Sequence, residues 1–563
     1  MKILGIHQGH DSSAAVVVDG VVVADVQEER FNRVKHSADL PLDSILYCMK
    51  QTGIDDINDF DRISFSWSST PPHLASILGL PSKKSKTIKQ FVLNTAKNYL
   101  GFNNHTPPIY FKDLRLMNPS KFINNDHHLI HAASAYYTRK TNDDCLVFTV
   151  DGSGDNVSTA VWRANGNKIK PLSRLNGFEA GIGWAYSIVT EGLHWIHGDG
   201  EGKTMGLAPY GDSSMCYGKL DYLFPEFNGT ELIRRSKITK GNSFTLRGSG
   251  QFHFEEARDV EKLIEEYGRE AVAAEAQRKL EEVLIAYIKA WCKKTGVKNV
   301  AAAGGVFLNV KLNQRIWENR DDLIDEYHVY PNPADSGLAV GAALHEYYQH
   351  NLFEGTTFNH LYFGPEYSNR YIEDALKICK VRYEKLSNPS KTAAEYLSKN
   401  KIIAWFQGRM ESGPRALGNR SILMSPIHPE NKNTINAFVK FREGFRPFCP
   451  SILFERVDDY LSDYKEELFM ITSYAVKENK RNKVPAVVHE DGTLRAQMVK
   501  KEINPLYWEL INEFGILTGE HIVLNTSFNV MGEPIINTPE EAIRGFFGSG
   551  IDILIIGDFI VFK

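Results

Sequence analysis

Apolar runs open the chain in a rhythm that recurs. Ile3–Ile6 is followed by a polar turn from His7 to Asp11, a second apolar run Ala14–Val18, the pair Asp19-Gly20 and a third run Val21–Val26. The same order returns as Leu146–Val150, the turn Asp151-Gly152-Ser153-Gly154-Asp155, the run Ser158–Trp162, the pair Asn165-Gly166 and the run Lys168–Leu172. Each set predicts strand, turn, strand, hairpin, strand, because Asn or Asp before Gly supplies the positive-φ pair that closes a tight hairpin. Two such openings about 145 residues apart predict a duplicated α/β fold, with a nucleotide gripped in the cleft between the two first turns. Two unrelated hairpins are the plainer alternative.

Helical spacing takes over from Asp259 to about Lys294, where Ala271–Ala274, Leu280, Val283, Leu284, Tyr287 and Ile288 mark an apolar face and Lys294-Thr295-Gly296 ends it. Asn299–Ala303 reads as a strand entering Gly304-Gly305. The loop Pro331–Gly337 then leads into a small-residue helix, Leu338–Tyr348, which Asp335 or Ser336 is placed to cap. The pattern loosens between Gly355 and Asn369, and the strand Ile402–Phe406 opens a region rich in arginine. Two domains are expected, 1–355 and 356–563, and 563 residues suffice to give each a core.

Composition narrows the function classes. Lys+Arg is 65 and Asp+Glu 69, a net charge of −4, which leaves no electrostatic footprint for nucleic acid or an acidic membrane surface. No apolar run approaches the roughly 20 residues that span a bilayer. His7, His10 and Asp11 interrupt the first apolar run before a signal-peptide core forms. Six cysteines without CxxC spacing argue against a disulfide framework or a cysteine zinc site and fit a reducing, cytoplasmic setting.

Three groups of residues carry candidate chemistry. His127 and His131 stand four apart in a helix-forming stretch, so both imidazoles project from one face and can converge on one metal ion; the glutamate of a zincin HExxH motif is missing. Asp151, at a strand end, and Asp335, at a helix start, are the candidate oxygen ligands, and two imidazoles with two carboxylates suit Fe(II), Mn(II) or Zn(II). Glycine-rich turns at Gly152 and Gly154, at Gly198–Lys203 and at Gly304-Gly305 let backbone N–H groups close on phosphate. None matches GxxxxGK[ST], or GxGxxG before a helix, which sets aside a P-loop NTPase and a Rossmann dehydrogenase. In the C-terminal region Arg409, Arg415 and Arg420, then Lys440, Arg442 and Arg446, then Arg495, lie among turn formers, a setting for bidentate capture of a small, multiply charged anion. Surface salt bridging is the bland alternative. Ser527, in Asn525-Thr526-Ser527-Phe528-Asn529, could complete that pocket, and His10 beside Asp11 is a candidate general base.

Together these motifs resemble the O-carbamoyltransferases typified by nodulation protein U, the cephem carbamoyltransferases and the tobramycin carbamoyltransferase. The likeness runs through His10-Asp11-Ser12-Ser13-Ala14-Ala15, Glu28-Glu29-Arg30-Phe31, the helix from His127 to Ala132, Asp151–Asp155, Gly202–Gly211, Gly304–Asn309, Gly413–Ser421 and Asn525–Asn529. It implies an actin-like N-terminal domain (a duplicated RNase H-like fold) and a YrdC-like α/β C-terminal domain. The latter would make carbamoyl-adenylate from carbamoyl phosphate and Mg-ATP. The former would hold that intermediate on a divalent metal, Fe(II) before Mn(II) or Zn(II), and pass the carbamoyl group to a hydroxyl of a natural product or glycan in secondary metabolism. By motif, the metal ligands would be His127, His131, Asp151 and Asp335; the carbamoyl phosphate and ATP pocket Arg415, Lys440, Arg446, Arg495 and Ser527; the N-terminal nucleotide contacts Gly152, Gly154, Gly304, Gly305 and Asn309. His10 matches the histidine beside the acceptor hydroxyl. A homodimer is compatible with this reading, while nucleic-acid binding and membrane insertion are not expected.

Met531 stands where many relatives carry Arg or Lys. Loops 67–110 and 213–250 are the expected seat of acceptor specificity. The competing readings are a tRNA threonylcarbamoyl transferase, which the acidic balance disfavours; an actin-like sugar kinase, which would release ADP and not need the arginine-rich half; and a non-catalytic ATP-binding scaffold.

Overall fold

The computed structural model describes residues 1–68, 119–177, 179–238, 252–530 and 532–563. Met531 and most of the two specificity loops, 69–110 and 239–250, lie outside them.

The repeated apolar rhythm forms two sheets of one design. β1 (Lys2–His7), β2 (Ser13–Val18) and β3 (Val21–Gln27) make an antiparallel meander, and β4 (Arg62–Phe65) and β5 (Phe122–Asn124) add in parallel on the other edge of β1. In the second sheet β6 (Cys145–Gly154), β7 (Val157–Asn165) and β8 (Lys168–Asn176) are the meander. After a small hairpin of β9 (Glu226–Asn228) and β10 (Glu231–Arg234), β11 (Asn299–Ala303) and β12 (Glu326–Val329) add in parallel beside β6. The orders β3-β2-β1-β4-β5 and β8-β7-β6-β11-β12 correspond strand for strand, so the duplication expected from the two openings is present. The turn Asp151–Gly154 is an exception to that expectation: β6 continues past Val150 through an irregular register to Gly154, which keeps Asp151 on the strand.

The two halves are locked by an exchange of helices. His127–Tyr136, which follows β5 of the first sheet, packs on β6 and β11 of the second; Leu338–Tyr348, which follows β12, packs on β1 and β2 of the first; and the two helices pack on each other. Their small residues allow the approach. At Gly5 of β1 a Cβ would lie 1.9 Å from the carbonyl oxygen of Ala339, so that crossing is open only to glycine.

Two local expectations change. The long stretch 259–294 is two helices, Ala257–Tyr267 and Arg269–Thr295, because Gly268 takes φ +87° and ends the first. Neither Asp335 nor Ser336 caps Leu338–Tyr348: a single turn, Asp335–Gly337, precedes that helix, Ser336 donates to Asn332 Oδ1 (2.7 Å), and the Asp335 carboxylate turns the other way, toward His127 and His131.

After an irregular stretch, 351–368, an eight-stranded mixed sheet forms from β13 (Tyr383–Lys385), β14 (Ile403–Phe406), β15 (Arg420–Met424), β16 (Cys449–Leu453), β19 (Gln497–Val499), β20 (Ile522–Ser527), β21 (Ile553–Ile556) and β22 (Phe559–Val561). Its order is β13-β22-β21-β14-β15-β20-β16-β19. A separate ribbon pairs β17 (Tyr474–Ala475) with β18 (Thr493–Leu494). Apolar clusters cover both faces, one including Ile422, Leu524 and Phe546, the other Leu423, Val523 and Tyr507. Among the described residues all six cysteines are free, and no helix is long and apolar enough to cross a membrane.

Polar contacts join the eight-stranded region to the first sheet. Arg409 Nη2 donates to Val23 O (2.9 Å), Arg33 donates to Pro534 O and Ile535 O (both 2.8 Å), and Ser412 Oγ donates to the fully buried carboxyl of Asp25. Burial pushes the Asp25 pKa up to about 7. Because the folded value lies above the unfolded one, near 4, the folded state keeps a proton that the unfolded chain gives up, and stability is lost as pH rises toward 7. Asp25→Asn should therefore gain on the natural chain by roughly 2 kcal/mol between pH 5 and pH 8 in denaturant titrations; a difference independent of pH would contradict an uncompensated Asp25.

Candidate active site and metal centre

The helix exchange brings three chain segments to one point. Asp126 caps the helix His127–Tyr136 through Leu129 N, aiming His127 and His131 along one face. Asp151 arrives from the end of β6, and Asp335 from the turn before the second exchanged helix. His131 Nε2 lies 3.2 Å from Asp151 Oδ2 and 3.3 Å from Asp335 Oδ1; His127 Nε2 lies 3.5 Å from Asp335 Oδ1 and 3.7 Å from Asp151 Oδ2. One ligand atom from each of the four residues falls within 4.8 Å of all the others. Among the described residues, neither ring nitrogen of the buried His127 has a hydrogen-bond partner. Burial alone would lower its pKa, yet the facing Asp335 and Asp151 carboxylates raise it to about 10. The two half-buried carboxylates draw positive charge to the imidazoles, either a proton on His127 or a divalent cation, which this set of two nitrogen and two oxygen donors fits.

The surrounding residues fix that geometry. Gly152 N and Gly305 N donate to Asp151 Oδ1 (2.8 and 3.3 Å), and Gly304 N donates to Pro333 O (2.7 Å), tying the end of β11 to the loop that carries Asp335. A Cβ on Gly154 would sit 2.0 Å from His127 Cδ2. Asn309 Oδ1 caps the helix Val310–Glu318 through Leu312 N (2.9 Å), while Asn309 Nδ2 donates to Gln277 Oε1 (2.8 Å). Three of the glycines expected to contact nucleotide, Gly152, Gly154 and Gly305, thus also touch the candidate metal ligands, and Asn309 caps its own helix.

His10 occupies the first turn, close to this centre: the carbonyl of His10 meets His7 Nε2 at 3.1 Å, and His7 Nε2 is 3.7 Å from Asp335 Oδ2. Its ring stacks on His36 at 4.8 Å, with Asp11 between them, Oδ2 3.1 Å from His10 Nδ1 and Oδ1 2.7 Å from His36 Nδ1. Asp199, from the Gly198–Lys203 turn, accepts at 3.2 Å from His36 Nε2. Burial opposes charge on His36, but Asp11 and Asp199 lift its pKa to about 9 and, with Asp11, that of His10 is also raised. His7 and His36 escaped sequence reasoning because no spacing rule joins them to partners 25 to 328 residues away in the chain.

The C-terminal region builds a second, oppositely charged pocket. Of the three arginines in the Gly408–Ser421 motif, two are structural. Arg409 reaches Val23 O and Phe363 O; Arg420 lies over the Phe406 ring and donates to the carbonyls of Gln407, Gly408, Asn419 and Pro365. Arg415 differs. Its loop is shaped by the buried Glu411, whose Oε1 accepts from Leu417 N and Asn419 N (both 2.7 Å), and by Asn525, which donates to Ala416 O. The buried Arg415 Nε has no hydrogen-bond partner among the described residues. Burial, then Arg495 and Arg446, pulls the Arg415 pKa down to about 9; burial, then Arg446 and Arg495, does the same to Arg442. Lys440, buried beside Arg442 and Arg446, is held well below its usual value and donates to Ser527 O, Ser527 Oγ (3.3 Å) and Asn529 Oδ1 (2.7 Å). Among the described residues the one carboxylate paired with this group is Glu443, 4.0 Å from Arg446. Five cations gathered with so little counter-charge form a basic cluster suited to an anion. Arg442 belongs to it although only its neighbours were singled out by motif.

A carbamoyltransferase N-terminus family model matches residues 2–344 and a carbamoyltransferase C-terminus family model residues 394–563. Nodulation protein NolNO of Sinorhizobium fredii is 34% identical over 566 residues, 98% of this chain and 79% of that protein. Nodulation protein U of the same species is 28% identical over 575 residues, 98% and 95% of the two chains. Among solved structures, T. kodakarensis HypF aligns over 62% of this chain and 48% of its own at 14% identity and a TM-score of 0.32, a likeness too slight to define a shared fold.

Gly154→Ala should push the His127 ring out of the cluster and lower bound metal at least about tenfold by mass spectrometry of the purified chain, with His127→Ala as the reference. Full metal content in Gly154→Ala would contradict the packing of that ring.

Proposed function

The chain belongs to the carbamoyltransferase family, and on that footing we propose that it is an ATP-dependent O-carbamoyltransferase working through carbamoyl-adenylate. The observation that carries this reading is the uncompensated pocket of Arg415, Lys440, Arg442, Arg446 and Arg495, which suits two phosphate-bearing substrates at once, carbamoyl phosphate and Mg-ATP. The duplicated sheets of residues 1–355 correspond to an actin-like transfer domain, and residues 356–563 to a YrdC-like activating domain.

Carbamate is a poor electrophile, so it needs a leaving group. Carbamoyl phosphate gives up phosphate to water, leaving carbamate. A carbamate oxygen then attacks the α-phosphorus of ATP, and pyrophosphate departs with its charge spread over the guanidinium groups. Lys440, pointed by Ser527 and Asn529, adds a further positive charge at the same place. In the transfer step the acceptor hydroxyl oxygen attacks the carbamoyl carbon, the carbon–oxygen bond to AMP breaks, and the hydroxyl proton passes to His10, oriented by Asp11. A divalent metal held by His127, His131, Asp151 and Asp335, Fe(II) before Mn(II) or Zn(II), supplies Lewis acidity toward phosphate oxygens when bound. Glycan and natural-product hydroxyls are the acceptor class, and the cytoplasm is the place where ATP and carbamoyl phosphate meet.

Incubation with ATP and carbamoyl phosphate, without acceptor, should give AMP and pyrophosphate in a reaction that depends on carbamoyl phosphate. Arg415→Ala should slow it about a hundredfold or more, whereas His127→Ala should leave it intact and block transfer from supplied carbamoyl-adenylate. ADP as the sole nucleotide product would favour the sugar-kinase reading instead.

A further inference from the structure

The motif Glu28-Glu29-Arg30-Phe31 has no part in either pocket, yet it lies between them. Arg30 is buried, and its Nη2 donates at 2.7 Å to the carbonyl of Gly413, two residues before Arg415. Its Nη1 is 2.8 Å from Glu29 Oε1. The other oxygen of Glu29 accepts from His36 N at 2.9 Å. His36 Nδ1 meets Asp11 Oδ1 at 2.7 Å, and Asp11 Oδ2 meets His10 Nδ1 at 3.1 Å. Four residues, Arg30, Glu29, His36 and Asp11, thus connect the loop that presents Arg415 to the imidazole of His10 in the first turn, each link at hydrogen-bond distance. The Gly413 end is held from a second side as well: Ser412 Oγ donates to Asp25, and a Cβ on Gly413 would lie 3.2 Å from Asn332, on the loop that carries Asp335.

We infer that Glu29 and Arg30 are positioning residues for both half-reactions: Arg30 sets the Arg415 loop against the anion, and Glu29, by fixing the backbone of His36, sets Asp11 against His10. The physical ground is that a buried guanidinium has few partners to choose from. Among the described residues Arg30 Nε is already without one, so losing either Gly413 O or Glu29 would strand further donors, and the arrangement holds as a unit. A carboxylate that accepts from a guanidinium on one oxygen and from a backbone N–H on the other fixes both in one geometry. The charged or titratable groups facing the His10 end are Asp11, His36, Asp199 and Lys35, with Asp335 beyond them.

The test uses the full chain and two readouts. The first is the Michaelis constant for carbamoyl phosphate in pyrophosphate release, which rests on the function proposed above. The second is the rate at which diethyl pyrocarbonate modifies His10, read by peptide mass spectrometry, which needs no turnover; the His10 side chain is 45% exposed and so within reach of the reagent. Arg30→Met should raise the Michaelis constant about tenfold with a smaller effect on kcat, and Arg30→Lys should recover part of it. Arg30→Met and Glu29→Gln should each change the His10 rate on the order of threefold, while His194, 68% exposed and paired with Glu261, keeps its rate. An unchanged His10 rate in both variants overturns the connection, as does a His194 rate that moves in step with His10, the mark of general loosening. A Michaelis constant within twofold of the natural chain in Arg30→Met overturns the role at Arg415. Should the natural chain release no pyrophosphate, the function reading fails, and the His10 comparison still decides this one.

Discussion

Charge of one sign, gathered where water is scarce, is the constraint around which this molecule is arranged. Asp151 and Asp335 face each other across the histidine pair; Arg415, Arg442, Arg446 and Lys440 face one another in the second pocket. The cationic cluster would be expensive without an anion from outside the chain, whereas the two carboxylates are balanced by a protonated His127 or by a cation in its place. A fold that tolerates both must hold them rigidly, and much of the polar interior serves that end: Gly152 N and Gly305 N on Asp151, Glu411 on the N–H groups of Leu417, Asn419 and Arg420, Ser527 and Asn529 on Lys440.

The exchange of helices explains why the candidate metal site falls where it does. Each half contributes its last helix to the other half's sheet, so the ends of the two central strands, β1 and β6, and the starts of the two exchanged helices converge. His7 and Asp151 are equivalent by position in the repeat, as are the segments carrying His127 and Asp335. Duplication therefore does more than enlarge the core. It makes a closed centre from residues far apart in sequence, with glycine at β1 and β6 where backbone or ring comes too close for a Cβ.

The first sheet also meets the eight-stranded region directly. Asp25 on Ser412, Arg30 on Gly413 and Arg409 on Val23 O gather on the short run 408–413, immediately before Arg415. The basic cluster around Arg415 is accordingly shaped by both parts of the chain, which gives a structural reason for joining them in a single polypeptide.

Much of this was legible in the linear chain. The Asx-Gly hairpins and the spacing of apolar runs disclosed the repeat, because hairpin closure is a local matter of φ; the four-residue spacing of His127 and His131 disclosed a shared face, because helical geometry is local too. Local rules also set their own limits. They made Asp335 a helix cap, joined two helices across Gly268, and ranked Arg409, Arg415 and Arg420 alike, although two of these three bind backbone carbonyls and one meets other cations. Which arginine lacks a partner, which aspartate faces an imidazole, and that His36 lies between Asp11 and Asp199 depend on segments brought together only by packing. Periodicity and composition determined the elements and the kinds of chemistry available; tertiary contact decided which charges were left uncompensated, because the energy of a buried charge depends on what surrounds it in space and not on its neighbours along the chain.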